Sequence, residues 1–274
     1  MRDRRRFTLF AYIVLSLLGI FMIFPFLWMF FSSFKNADEI YRLTILPSKP
    51  NLDNYVYIFT SRYSKFTIWF LNSLLVGAVT TISVLFFDSL LGYTLSKFNF
   101  PGKKIIFLVI ISTLMIPTEM LVIPWYQISV IMKWVNTYWG IMFPGMLSAF
   151  GMFLMRQFMM SIPDDLLDAA RIDGQSEFRI FLTVALPLSA SALATLAIFN
   201  FIGNWNAFFW PLIISSTPAT FTLPVGLANF SSEATNEWHL IMTGATLAMA
   251  PLIIIFLIFQ QQIIKGISLS GMKG

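Results

Sequence analysis

Cysteine is absent from the 274 residues, so disulfides and thiolate metal sites are excluded. There is one histidine, His239. It follows Asn-Glu-Trp at the edge of the last apolar run and is assigned no chemistry, because a lone imidazole leaves little for a metal centre. Charge is scarce too. Asp, Glu, Lys and Arg make up 11% of the chain, where soluble domains carry roughly 25%. No long polar region separates the apolar segments, so no soluble domain is expected. The basic residues are not clustered on such a domain, and a nucleic-acid-binding role is excluded with it. Apolar residues are abundant instead: 57% of the chain is hydrophobic, with thirty Phe and eight Trp. The mean hydropathy is +0.76. A surface of this composition needs lipid around it, which marks an integral membrane protein.

Six apolar runs are long enough to span a bilayer, which takes about 20 residues each. They cover about Phe7–Phe31, Ile68–Leu95, Ile105–Ile128, Tyr138–Phe158, Phe181–Ile214 and Leu240–Ile264. The fifth contains Pro187 and Pro211, so its span is expected inside those limits. Each must be helical, because lipid offers no partner to an open backbone. Continuous runs without alternation argue against a β-barrel. The first run exceeds the roughly 7–15 residues of a signal-peptide core and lacks a small-residue cleavage site, so it reads as a retained span. With six spans, both termini share one side. Lys35, Arg42, Lys49, Arg62, Lys65 and Lys133 fall on the other side, and the remaining twelve of the eighteen Lys and Arg fall with the termini. That bias puts both termini in the cytoplasm. The longest outer loop is about Lys35–Lys65, and the stretch "ILPSKPNLDNY" within it (Ile45–Tyr55) reads as extended and broken by proline.

One stretch breaks the apolar pattern. Asp164–Phe178, "DDLLDAARIDGQSEF", holds five acidic residues, two alanines and a glycine. Ser161 offers an N-cap with Asp164 three residues on, a capping box. Pro163 suits a first turn, and Asp164 and Asp165 suit the positive end of a helix. The helix is expected to run to Asp173, with Gly174 reversing the chain at positive φ. A second helical stretch, from Ser176 to about Val184, leads to Pro187 and the fifth span. The expected result is a helix–turn–helix knuckle. Ala169 and Ala170 keep its middle slim, so another protein's backbone can approach. On local pattern alone, an ordinary solvated connector fits as well.

The spacing extends beyond the knuckle. Asp168-Ala169-Ala170, three residues, Gly174, nine residues, Val184, one residue, then Leu186-Pro187 closely resembles the EAA motif of ABC importer permeases. That motif reads Glu-Ala-Ala, three spacers, Gly, nine spacers, Ile, one spacer, Leu-Pro. Asp168 replaces Glu and Val184 replaces Ile. "NSLLVGAVTTISVLFFDSLLGYTLSKFNFPGKK", "NWNAFFWPLI" and "KGISLSGMKG" are also similar to carbohydrate importer permeases of the maltose-permease type, so the likeness covers nearly the whole chain. The resemblance implies an all-α, six-span permease domain over residues 1–274 of the type I importer fold. It has an N-terminal tail (1–7), a coupling loop (about 161–180) and a C-terminal tail (about 265–274) in the cytoplasm of a bacterium or archaeon.

It also implies partners: a second related permease, two cytoplasmic ATPase subunits and an extracytoplasmic solute-binding protein. The coupling residues would be Asp168, Ala169, Ala170, Asp173, Gly174, Leu186 and Pro187, with Asp168 facing a basic residue of the ATPase. No Walker sequence occurs in the chain. This chain is therefore expected to be a transport subunit, not an enzyme, to carry no cofactor, and to leave ATP and Mg to the ATPase. The tail "GISLSGMKG" either lies against the ATPase or frays.

Five residues of the fifth run pair amides with aromatic rings: Asn200, Asn204, Trp205, Asn206 and Trp210. Sugars need both, yet helix packing uses both as well, so substrate lining and packing stay open. Glu119 sits between Pro117 and Pro124, in a run expected to break and to line a cavity or pack. Asp88 lies inside the second run, where a charge costs roughly 2.5–3.5 kcal/mol. It is expected to contact a neighbouring helix. The rival reading makes Asp88 and Glu119 ion carriers of a gradient-driven transporter. Such proteins often show inverted repeats, and none is visible here. An intramembrane enzyme would need a nucleophile–base pair or a metal cluster, and the carboxylates are scattered.

Overall fold

The computed structural model describes residues 2–231 and 237–271, with side chains over 8–231 and 237–260. Among these, every regular element is a helix. In chain order they are α1 (Arg2–Ser32), α2 (Asp53–Thr60), α3 (Phe66–Lys97), α4 (Lys103–Ser112), α5 (Val122–Ile131), α6 (Tyr138–Met142), α7 (Ala149–Met160), α8 (Asp164–Ile172) and α9 (Glu177–Ile180). They continue as α10 (Leu186–Leu188), α11 (Ala190–Trp205), α12 (Phe209–Ile214), α13 (Leu223–Ala228) and α14 (Trp238–Gly271).

Three helices are each long and apolar enough to cross a membrane: Thr8–Ser32, Phe66–Lys97 and Trp238–Gln260. Three bent pairs qualify only together: Lys103–Met115 with Thr118–Ile131 at 99°, Tyr138–Gly145 with Ala149–Met160 at 44°, and Glu177–Leu188 with Ala190–Trp205 at 82°. Counting each pair as one span gives the six that were expected. The breaks have local causes. Ile116 is extended ahead of Pro117, because the proline ring crowds the α conformation of the residue before it. Ser148 is extended and caps α7 with its own side chain. Ser189 leaves the helix two residues after Pro187, whose missing N–H interrupts the backbone ladder. The fifth span ends at Trp205, and the chain from Phe209 to Ile214 forms the separate α12. The helix α14 continues into the expected C-terminal tail as far as Gly271. Residues 272–274 lie outside the described residues, as do the side chains of the 1–7 tail.

The chain divides into two compact units, Met1–Thr67 with Gly226–Ala250, and Ile68–Val225 with Pro251–Gly274. In the first, the stretch expected to be extended has no regular structure up to Leu52, as expected, but its last three residues instead open α2 and anchor it beside the end of α1. Asn54 is the reason: its amide donates to Ser33 O at 2.9 Å and to Lys35 O at 2.8 Å. Glu39 accepts from the N–H and the hydroxyl of Ser48, both at 2.6 Å. These Ser48 hydrogen bonds hold the Glu39 carboxyl below its ordinary pKa. The buried Lys35 ammonium donates to Thr44 O. Such side-chain bonds to backbone leave no hydropathy signal, which is why the start of α2 reads as extended in the sequence. The second unit holds a core that includes Tyr93, Met155, Met159, Leu167, Ile180 and Phe181.

Candidate functional site

The knuckle is present. Helix α8 runs from Asp164 to Ile172, with Asp173 as its C-cap and Gly174 at φ +78°. Gly174 N–H donates to Arg171 O at 2.9 Å and Gln175 N–H to Ala170 O at 3.1 Å. This pair of bonds is the Schellman closure that a left-handed residue permits. Ser176 then caps α9, accepting from the Arg179 N–H. After α9 the chain widens into a π-helix over Phe181–Ala185, directly before Leu186 and Pro187. Proline lacks an N–H and crowds the carbonyl four residues back, and a π-bulge accommodates such a break.

The capping box is not formed. Pro163 occupies the N-cap of α8, and no side chain caps it. The Ser161 hydroxyl turns back to donate to Phe158 O at 2.7 Å, closing α7 instead. Asp164 is drawn to Lys97 at the end of α3, with Nζ 2.7 Å from Oδ1. The same ammonium donates to Ile162 O at 2.5 Å. An ion pair to a cation already aimed at this corner outcompetes a local cap. The Lys97 hydrogen bond, then its charge, holds the Asp164 carboxyl below its usual value.

The knuckle has two faces. Leu167 and Ala170 are buried in the core of the second unit, together with Ile180 and Phe181. Full burial of an aliphatic side chain such as Leu167 stabilises by about 1.5–3 kcal/mol. The other face, with Asp165, Leu166, Asp168, Ala169, Ile172 and Asp173, is exposed. Ile172 is 87% exposed. A salt-bridge chain ties the two arms of the knuckle. Arg171 Nη1 donates to Asp168 Oδ1 at 2.5 Å, Arg171 Nε to Glu177 Oε1 at 2.6 Å, and Arg171 Nη2 to Glu177 Oε2 at 3.2 Å. Tyr93 Oη donates to Glu177 Oε2 at 3.1 Å, extending the chain to α3. Hydrogen bonds to Glu177, and then to Asp168, push the Arg171 guanidinium further up from its ordinary value. Reasoning from sequence missed Arg171, Glu177 and Tyr93. The i, i+3 spacing of Asp168 and Arg171 was the available signal.

The remaining candidates separate. Asp88 is 1% exposed, and its carboxylate accepts the Ser148 N–H at 3.1 and 3.2 Å from its two oxygens. The negative group thus sits at the positive end of α7, which is the helix contact expected. A Cβ on Gly151 would collide with Asp88 Oδ2, so glycine is what lets the carboxylate reach this end. Glu119 is exposed in the short 3-10 turn at the 99° break. Asn204 donates to Asn200 O at 2.9 Å and to Asn200 Oδ1 at 3.0 Å, and Thr81 donates to the same Oδ1 at 3.1 Å. Trp205 is buried and stacks on Phe201 with centroids 5.8 Å apart. Trp210 donates to Gly140 O at 3.0 Å and meets Trp125 edge-on. Asn206 alone of the five is exposed, and its amide donates back to Ile202 O at 3.0 Å. The structure therefore brings Asn200 and Asn204 together, but does not gather all five onto one open surface.

The chain is similar to named transport proteins. It is 38% identical to the arabinooligosaccharides transport system permease protein AraQ of Bacillus subtilis (strain 168) over 271 residues, covering 97% of this chain and 95% of that protein. It is 32% identical to the sn-glycerol-3-phosphate transport system permease protein UgpE of Salmonella typhi over 275 residues, covering 97% and 98%. In fold it matches a chain of a bacterial ABC transporter involved in the import of the acidic polysaccharide alginate, with a TM-score of 0.85 at 21% identity, covering 95% of this chain and 98% of that one. Residues 88–269, which include the whole knuckle and the Asp88 contact, match the family described as the binding-protein-dependent transport system inner membrane component. The chain belongs to that family.

Proposed function

We propose that this chain is one permease subunit of an ATP-driven importer for a sugar or oligosaccharide. The two-faced knuckle carries the reading: one face is built into the core, the other is free for a partner. A push on Leu166, Ala169 and Ile172 passes through Leu167 and Ala170 into α3 and α7, because packed interiors transmit strain. Arg171 keeps the two arms moving as one piece. Asp168, Ala169, Ala170, Asp173, Gly174, Leu186 and Pro187 form the coupling element, seated in a cleft of a cytoplasmic ATPase. ATP and Mg act there, and this subunit moves solute by alternating access. The other partners are a second related permease and an extracytoplasmic solute-binding protein that delivers substrate. Both termini lie in the cytoplasm, as the Lys and Arg bias directs. The carbohydrate class rests on the arabinooligosaccharide relatives. Asn200, Asn204, Asn206, Trp205, Trp210 and Glu119 remain the candidate lining residues.

Reconstituted in liposomes with its partner subunits and binding protein, the complex should take up arabinooligosaccharide when ATP is present on the ATPase side. Uptake should survive collapse of proton and sodium gradients. Uptake that follows an imposed gradient without ATP would overturn the reading and point back to Asp88 and Glu119 as carriers.

A further inference from the structure

A cavity of about 430 Å³ opens between the start of α4 and the end of α7, within the second unit. Its charged lining consists of Lys103, Lys104 and Arg156, and no acidic residue lines it. Two of the three cations are already oriented by the fold. Lys103 Nζ donates to Phe98 O at 2.7 Å and to Ser96 O at 3.3 Å. Arg156 Nε donates to Leu95 O at 3.2 Å, and its guanidinium lies 4.1 Å from the centroid of the Phe107 ring. The Phe107 ring stacks in turn on Phe153. Among the described residues no carboxylate pairs with Lys103, Lys104 or Arg156. Three basic residues thus line one cavity with no carboxylate partner among the described residues.

The walls are as telling as the charges. Phe100, Ile105 and Phe107 make the rest of the lining mainly apolar. The next turns of α4 expose Ile106, Leu108 and Val109, and no residue of α4 is buried. An apolar helix face leading up to a basic pocket is the chemistry of an acyl chain below a phosphate. The position agrees with that. Lys103 grips the chain just after Lys97, whose ammonium reaches the knuckle. This is therefore the membrane-boundary end of α3, on the knuckle side. Basic pockets between spanning helices on the cytoplasmic side suit anionic lipid headgroups. A guanidinium pairs with phosphate in a fixed fork, while a lysine acts as a mobile point charge.

We propose that Lys103, Lys104 and Arg156 form a binding site for the phosphate headgroup of an anionic phospholipid, whose chains lie along α4. The site would fasten the α4–α7 contact at the membrane boundary beside the knuckle. The proposal rests on the chain being a membrane component with its knuckle side in the cytoplasm, and not on the sugar or coupling readings, and its test needs no transport.

The test uses the full chain purified with its partner subunits, in nanodiscs of phosphatidylcholine containing phosphatidylglycerol. Native mass spectrometry of the released complex counts the retained lipids. The wild type should retain phosphatidylglycerol in preference to phosphatidylcholine. Lys104→Gln removes an exposed ammonium with no partner among the described residues, so the fold is not put at risk. It should lower that preference roughly 5-fold, and Lys104→Gln with Arg156→Gln should lower it further, at about one such factor per charge. Arg156→Lys should restore part of the loss. Equal preference in the wild type and the double variant would overturn the site. Retention of phosphatidylcholine to the same level as phosphatidylglycerol would overturn the role of charge. Displacement of the lipid by millimolar inorganic phosphate would reassign the pocket to a soluble anion and overturn the lipid assignment.

Discussion

Gly174 shows how much can depend on one residue. Its φ of +78° is left-handed, and a Cβ built there would meet nothing within 4 Å. The penalty for a substitution is thus conformational and not a clash. For a β-branched residue it is on the order of 1–2 kcal/mol, charged to the turn alone. Gly174→Val should leave the chain inserted and expressed, because no transmembrane packing is touched. The strained turn should open, tilting α8 against α9 and stretching the bridges from Arg171 to Glu177. ATPase docking should weaken, or hydrolysis should uncouple from uptake. Gly174→Asn should be milder, since Asn tolerates the left-handed region. Purified complexes would be compared for bound ATPase, substrate-stimulated hydrolysis and uptake. Normal coupling in Gly174→Val would make the knuckle a solvated connector.

The elements divide into those the sequence made legible and those it did not. Long apolar runs and fixed spacing are visible in one dimension, so the spans, the knuckle and the Gly174 turn could be read directly. The break at Pro117 was expected from its proline pair, whereas Pro187 was read only as shortening the fifth span and not as an 82° bend. Contacts between distant residues were not legible. Lys97 lies 67 positions from Asp164, and nothing local says that it will displace the Ser161 cap. Helix α2 was missed because its anchor is Asn54, a polar residue bonding to backbone nineteen and twenty-one positions away. Which members of the amide–aromatic group share a face was not legible either, because helical geometry sends neighbours such as Trp205 and Asn206 in different directions. Asp88 links two elements, and it can be tested as such. Asp88→Ala leaves the Ser148 N–H without its acceptor in a buried place, at a cost of about 1–3 kcal/mol. The melting temperature of the purified complex should fall, while ATP-driven uptake by the surviving fraction stays independent of ion gradients. Asp88→Asn retains an acceptor oxygen and should lie between. Loss of gradient-dependent uptake with unchanged stability would make Asp88 a carrier instead of a cap.

At the scale of the whole molecule, the decisive property is which groups meet lipid and which meet water. The helix Thr8–Ser32 carries exposed apolar side chains along its length, among them Phe10, Ile20 and Phe21. In water that surface would aggregate; in a bilayer it is the matching solvent. Lipid is symmetric enough that hydropathy alone does not orient the chain, so the orientation falls to Lys and Arg. On the six-span reading, twelve of the eighteen fall on the side of the termini and the knuckle. The prediction is therefore one of sidedness. Single cysteines replacing Arg4 and Gln175 should react with an impermeant thiol reagent only from the cytoplasmic face, and one replacing Asn51 only from outside. The chain has no native cysteine, so the background is clean. Gln175 is the critical position: it follows Gly174 in the turn and belongs to the only strongly acidic segment of the chain. An ATPase can reach the exposed face of α8 only if Gln175 is labelled from within. Labelling of Gln175 from outside would reverse the topology, and would remove the coupling role and the cytoplasmic lipid site with it.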